Sequence, residues 1–287
     1  MNYLLLFFSI LCETFKNSYT NHFSKNLLNS QADTYLFNAV LSLGAAIFFG
    51  IFGRFSMSSF SLMISIAFAL VMALAQLFLV LAMACGPMSY SVLLTYLGGI
   101  LIPTAYSVIF LNQNVSVFQI AGLIIMLVSV FLGVGVKKNE TMSAKWLVLS
   151  VGSMVMMGLV GVCQQIHQTS EYRQEIVPFL FWAFLMMTVL FALFYLSARK
   201  KEETHHYHIK SKSSLLILLT GLATGIINLI NLYLSGVMKG IIFFPIVNGG
   251  VVVLSSLAAI LIFREKLDKK QLAGIILGTI AICLLSI

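Results

Sequence analysis

Glu13 and Lys16 are the residues whose chemistry most needs explaining. They lie in an apolar stretch, and with Ser9, Asn17, Thr20 and Ser24 they recur at three- and four-residue steps. That spacing puts all six on one face of a helix. A charge at the centre of a bilayer-spanning helix costs at least about 2.5–3.5 kcal/mol, so such groups face a bundle interior or a water-filled cavity. Two uses fit. A carboxylate and an ammonium at i, i+3 can pair and hold the helix against its neighbours. Alternatively the face lines a transport pathway, with Glu13 handling a proton or a cationic solute and Lys16, Asn17 and Thr20 beside it.

The elements that carry this face follow from composition. Of 287 residues, 60% are hydrophobic and 9% charged, against roughly 45–50% and about 25% in a soluble domain. Mean hydropathy is +1.01. So few charges cannot cover the surface of a water-soluble protein, which excludes a soluble enzyme, a disordered tail and a nucleic-acid-binding domain. The net charge of +8 reads as topology information rather than as a nucleic-acid patch.

Residues 55–136 contain no Asp, Glu, Lys or Arg. About 20 apolar residues span a bilayer as a helix, so this gap holds three spans. A barrel would show alternating polarity over roughly ten-residue segments, and Ile64-Ser65-Ile66-Ala67-Phe68-Ala69-Leu70 does not alternate that way. The chain reads as an all-α integral membrane protein with ten transmembrane helices, at 3–24, 33–52, 60–84, 88–111, 117–136, 146–168, 177–198, 214–235, 240–263 and 270–287. The first span lacks a basic leader, and Leu11 stands where cleavage requires a small residue, so it reads as a mature helix rather than a signal peptide. The four cysteines show no metal-ligand spacing and imply no disulfide framework.

The two halves overlay. Tyr96-Leu97-Gly98-Gly99 matches Val247-Asn248-Gly249-Gly250, and the turn 112–122 matches 264–274 with one inserted residue. Ser116 with Gln119, and Asp268 with Gln271, have capping-box spacing. A glycine follows three residues later in each half, at Gly122 and Gly274. The double glycines Gly98, Gly99, Gly249 and Gly250 fall near mid-membrane, where they permit close helix approach. Five is odd, so a repeated five-span unit enters the membrane in opposite orientations. The expected organisation is two inverted repeats, 1–138 and 139–287, with a solute site between them at the midplane.

The run Phe263-Arg264-Glu265-Lys266-Leu267-Asp268 into Gln271-Leu272-Ala273-Gly274 resembles the acidic turn and Gln-x-x-Gly signature of the drug/metabolite transporter superfamily, within it the ten-helix EamA-like transporters. The first half carries Gln113 where that family often has Glu. The resemblance implies a carrier for small metabolites or drugs, often an exporter. Glu13 is similar in placement to the membrane glutamate of the small multidrug resistance proteins, which exchanges protons for cationic substrate, so proton coupling through Glu13 is an expectation of that likeness.

Other polar residues have plainer alternatives. Asn228 and Asn231 share a face of span eight, Asn248 sits beside the second double glycine, and Tyr96 with Thr95 takes the equivalent place in the first half. Each can touch solute or act as interhelical glue. Gln164, Gln165, His167 and Gln168, at the end of span six, are expected to face headgroups or water. Pro103 should kink span four. Gly221/Gly225 and Gly274/Gly278 are GxxxG matches that serve packing within one chain as readily as dimerisation, so a monomer or a homodimer fits. His205, His206 and His208 read as a solvated loop rather than a metal site.

Ten spans place 13 Lys and Arg residues on one side and three on the other. The positive-inside rule makes the richer side cytoplasmic and both termini external, whereas the resemblance implies both termini inside. The expected protein is a multi-pass carrier in the cell membrane, a bacterial inner or plasma membrane. It moves a small-molecule solute by alternating access, without cofactor, metal or nucleic acid. The alternatives are a membrane-embedded enzyme acting on a lipid-linked intermediate, for which the spans offer one acid and one lysine, and a passive channel, for which a ring of like charges is missing.

Overall fold

The computed structural model describes residues 1–27, 30–86, 88–133, 143–199, 211–261 and 269–287; for 18–27, 88–89, 133, 211–214 and 259–261 the description covers the backbone alone. These residues form ten helices: α1 (Asn2–Leu27), α2 (Gln31–Gly50), α3 (Ser59–Cys85), α4 (Met88–Ile109), α5 (Val117–Gly133), α6 (Ala144–Gln168), α7 (Ile176–Arg199), α8 (Ser211–Val237), α9 (Gly240–Leu261) and α10 (Lys269–Leu285). Each begins within three residues of its expected span. Seven of them (α2, α3, α4, α6, α7, α8 and α9) contain stretches long and apolar enough to cross a membrane, and α5 is apolar but shorter. The protein is a multi-pass, all-helical membrane protein.

Serine fixes several helix starts. The hydroxyls of Ser30, Ser58 and Ser143 accept from the backbone N–H three residues on, each at 3.1 Å, satisfying a donor that the first turn leaves free. At α5 the expected capping box is present: Gln119 N–H donates to Ser116 Oγ at 3.1 Å and Ser116 N–H to Gln119 Oε1 at 3.2 Å. Its counterpart through Asp268 lies outside the described residues, as do His205, His206 and His208.

Packing runs across the two halves of the chain. One apolar cluster, with Phe49, Phe68, Phe179, Phe184 and Phe191 at its centre, joins α2 and α3 to α6 and α7. A second, around Leu6, Ile100, Met126, Phe243 and Val251, joins α1, α4 and α5 to α8, α9 and α10. The closest helix pairs are α2 with α7, α5 with α10, α3 with α6 and α4 with α6, followed by α2 with α8.

Both GxxxG matches are occupied within the chain. Gly221 packs on α2, where a Cβ on Gly44 would sit 2.6 Å from the Leu218 carbonyl oxygen, and Gly225 faces Phe48. On α10, Gly278 lies against Ser129 of α5, and the Ser129 hydroxyl donates to the Gly274 carbonyl at 2.7 Å. Such crossings rest on backbone approach, which is the main source of helix affinity where lipid removes the hydrophobic drive.

Candidate functional site

On α1 the exposed and bundle-facing sides separate cleanly. Leu4, Phe7, Phe8 and Phe15 are exposed, while Leu6, Ser9, Ile10 and Thr14 are buried. The polar stripe therefore turns inward. Ser9 Oγ donates to Asn231 Oδ1 of α8 at 2.6 Å. One turn further on, Lys16 Nζ meets Glu13 Oε1 at 2.5 Å, with side-chain exposures of 17% and 23%. Those exposures show a pair neither sealed in the core nor fully exposed. Asn17 is half-buried beside it; Thr20 lies on the same helix, but its side chain falls outside the described residues.

Tyr96 on α4 is half-buried and lies within electrostatic reach of the Glu13 carboxylate. Its neighbour Thr95 is glue, bonding the Ser91 carbonyl and Ser153 Oγ of α6, both at 2.9 Å. Gly98 of the first double glycine presses on the Met154 carbonyl of α6, and Gly249 of the second on Met126 of α5; Gly250 faces Ile10 of α1. These glycines place α4 and α9 close to their neighbours around the inner face of α1.

The three asparagines differ. Asn231 holds Ser9. Asn228, buried, donates to the Thr224 carbonyl of its own helix at 2.9 Å. Asn248 donates to the Phe244 carbonyl of its own helix at 3.0 Å and to the Gly99 carbonyl of α4 at 3.1 Å. Ser9 thus meets Asn231 between α1 and α8, Glu13 pairs with Lys16 on α1, and Tyr96 of α4 lies within electrostatic reach of that pair. Asn228 and Asn248 spend their N–H groups on backbone.

The end of α6 departs from expectation. Gln164, Gln165, His167 and Gln168 face neither headgroups nor water: their exposures are 7%, 1%, 0% and 5%. Gln165 donates to the Pro103 carbonyl at 2.8 Å and accepts from the Ser107 hydroxyl at 2.5 Å. Gln168 Nε2 lies 3.1 Å from His167 Nδ1, and the His167 ring stacks 4.3 Å from Phe179. The reason is packing: α4 meets Gln165, Phe179 of α7 lies against His167 and Gly236 of α8 lies against Gln168, so the last turn is enclosed, and neutral side chains there find partners where charged ones would be stranded.

Glu175, at the foot of α7, belongs to no motif that the sequence singles out. Its carboxylate accepts from the Ser58 backbone N–H at 3.1 Å and from the Ser58 hydroxyl at 2.8 Å, tying α7 to the start of α3. Partial burial pushes its pKa up, but hydrogen bonds from Ser61 and Ser58 and the nearby His167 outweigh this and hold it below the ordinary carboxylate range. It lines an open surface cavity of about 430 Å³ with Arg54, Phe55, Gln174 and Pro178. Gln113 plays a comparable part, since its Oε1 accepts from the first N–H of α9, on Gly240, at 2.8 Å. Among the described residues no three His, Cys, Asp or Glu side chains converge as a metal site would require.

Ten helices packed across the two halves of the chain, seven of them long and apolar enough to cross a membrane, define a multi-pass membrane protein. Residues 144–287 match the model of the EamA-like transporter family. The chain belongs to that family, within the drug/metabolite transporter superfamily, and family membership implies solute transport rather than catalysis. A crystal structure of a protein 14% identical in sequence superposes with a TM-score of 0.75, covering 100% of this chain and 98% of the other; at that identity the likeness shows the fold alone. No curated protein matches the chain.

Proposed function

We propose that the protein is a secondary transporter that carries a small metabolite or drug-like solute by alternating access, with its site among α1, α4 and α8. The observation that carries this reading is the partly exposed Glu13–Lys16 pair beside Tyr96. Charge at this depth is expensive and is normally retained on a substrate or proton path. Glu13, Lys16, Asn17, Thr20, Tyr96 and Asn231 line the path in this proposal. Asn228, Asn248 and the double glycines shape it.

Two inverted repeats are part of the proposal. Their support is the pairing of α2 with α7, α4 with α9 and α5 with α10, each being the helix that occupies the equivalent place in the other half. Coupling to protons through Glu13 requires the carboxylate to leave Lys16 during the cycle. The surplus of Lys and Arg supports a cytoplasmic location for the connections after odd-numbered helices, in the cell membrane.

A ligand-stabilisation screen of the purified chain over amino acids, sugars, nucleosides and organic cations tests this reading. A ligand that binds the folded state raises its thermal midpoint. A compound that stabilises the wild type but not Glu13→Gln is expected, and preloading vesicles with it should accelerate uptake of its labelled form. Stabilisation unaffected by Glu13→Gln removes the α1 site. Absent counterflow points instead to an enzyme or a passive pore.

A further inference from the structure

Within α4, one carbonyl loses its helical partner. The N–H of residue i normally donates to the carbonyl of residue i−4, and Pro103, inside α4, has no N–H. The Gly99 carbonyl is therefore left open in a buried position. An open carbonyl in hydrocarbon finds a partner elsewhere or remains strongly unfavourable. Here the partner is Asn248 of α9, whose Nδ2 lies 3.1 Å away across 149 residues of sequence. Glycine at position 99 is what admits it, because a Cβ there would sit 2.9 Å from Asn248 Oδ1. The Pro103 carbonyl, four residues on, also accepts from side chains: from the Ser107 hydroxyl and from Gln165 Nε2 of α6, both at 2.8 Å.

We propose that Pro103, Gly99 and Asn248 act as one unit, in which Asn248 is a positioning residue that replaces the hydrogen bond Pro103 deletes and so sets how α4 seats against α9. Three independent features require one another here: a missing donor, a side chain that supplies it and a missing Cβ that makes room. A substrate ligand would not depend on residue 103. This unit does. It stands apart from the identity of the solute, so a failed ligand screen leaves it untouched.

A cycle of four full-length proteins in detergent tests the unit: wild type, Asn248→Leu, Pro103→Ala and the double variant, with Pro103→Leu as a second background that also restores the N–H. Thermal midpoints are read without ligand. Asn248→Leu is expected to lower the midpoint by several degrees in the native background. It should lower it by less than half as much in the Pro103→Ala background, where the restored N–H supplies the donor to Gly99. Asn248→Asp, which keeps the shape but lacks the amide donor, should follow Asn248→Leu. Equal losses in both backgrounds, or an Asn248→Asp variant as stable as wild type, overturn the proposal. Should Asn248→Leu fail to fold alone, recovery of folding in the double variant supports the unit. Continued failure beside a folded Pro103 variant overturns it.

Discussion

Glu175 and Glu13 are both carboxylates of one membrane protein, yet their partners give them different duties. Glu175 is fixed by donors that do not titrate, the Ser58 N–H and hydroxyl, and its pKa lies below the ordinary range. A carboxylate held low in the folded state stabilises it above the unfolded pKa, and that contribution is lost as pH falls through the folded value. The thermal midpoint of the wild type should therefore drop as pH falls from about 5 to below about 4, through the folded value, with a smaller drop in Glu175→Gln. At neutral pH the same variant should lose on the order of 1 kcal/mol, the usual worth of a helix-start hydrogen bond. An unchanged acid profile would show that Glu175 does not tie α7 to α3. Glu13, by contrast, is partnered by the Lys16 ammonium one turn away on the same helix, and under the proposed proton coupling it leaves that partner during the cycle.

At the scale of helices, the sequence was legible where local chemistry sets the outcome. The uncharged gap from 55 to 136, the serine starts and the Ser116/Gln119 box all reappear as structure because length, hydropathy and capping act over a few residues. The inward turn of the α1 stripe was legible for the same reason, since helical period alone separates Ser9 and Glu13 from Phe8 and Phe15. The burial of Gln164, Gln165, His167 and Gln168 was not, because it depends on α4, α7 and α8 closing over the last turn of α6. One signal pointed that way: four polar residues with no Lys or Arg among them are a poor headgroup anchor. Nor could sequence alone show that Asn248 reaches Gly99, a contact spanning 149 residues.

The glycine pairs were ambiguous between self-packing and dimerisation, and the α5–α10 crossing gives them an internal use. A Cβ on Gly278 would lie 2.6 Å from Ser129 Oγ. Gly278→Leu is accordingly expected to lower stability by about 1–3 kcal/mol through overpacking, while the detergent-corrected mass by light scattering stays that of wild type. A fall in oligomer mass without loss of stability would instead assign this face to a partner copy.

For the molecule as a whole, orientation is the property that charge addresses most directly. A cysteine in a short C-terminal tag, in a background stripped of the four native thiols, is expected to react with an impermeant reagent added outside intact cells, as the surplus of basic residues on the opposite face requires. Labelling only after permeabilisation would reverse the orientation.

Both apolar clusters draw on both halves of the chain, and this bears on how the protein is made. Helices enter the membrane in order of synthesis, so α1 reaches lipid long before α8 exists. The Asn231 that will receive Ser9 lies 222 residues downstream. Glu13, by contrast, brings its partner with it, three residues away. Under the same proposal, the pair that meets solute in the finished transporter also offsets the cost of holding α1 in a bilayer with no bundle yet to receive it.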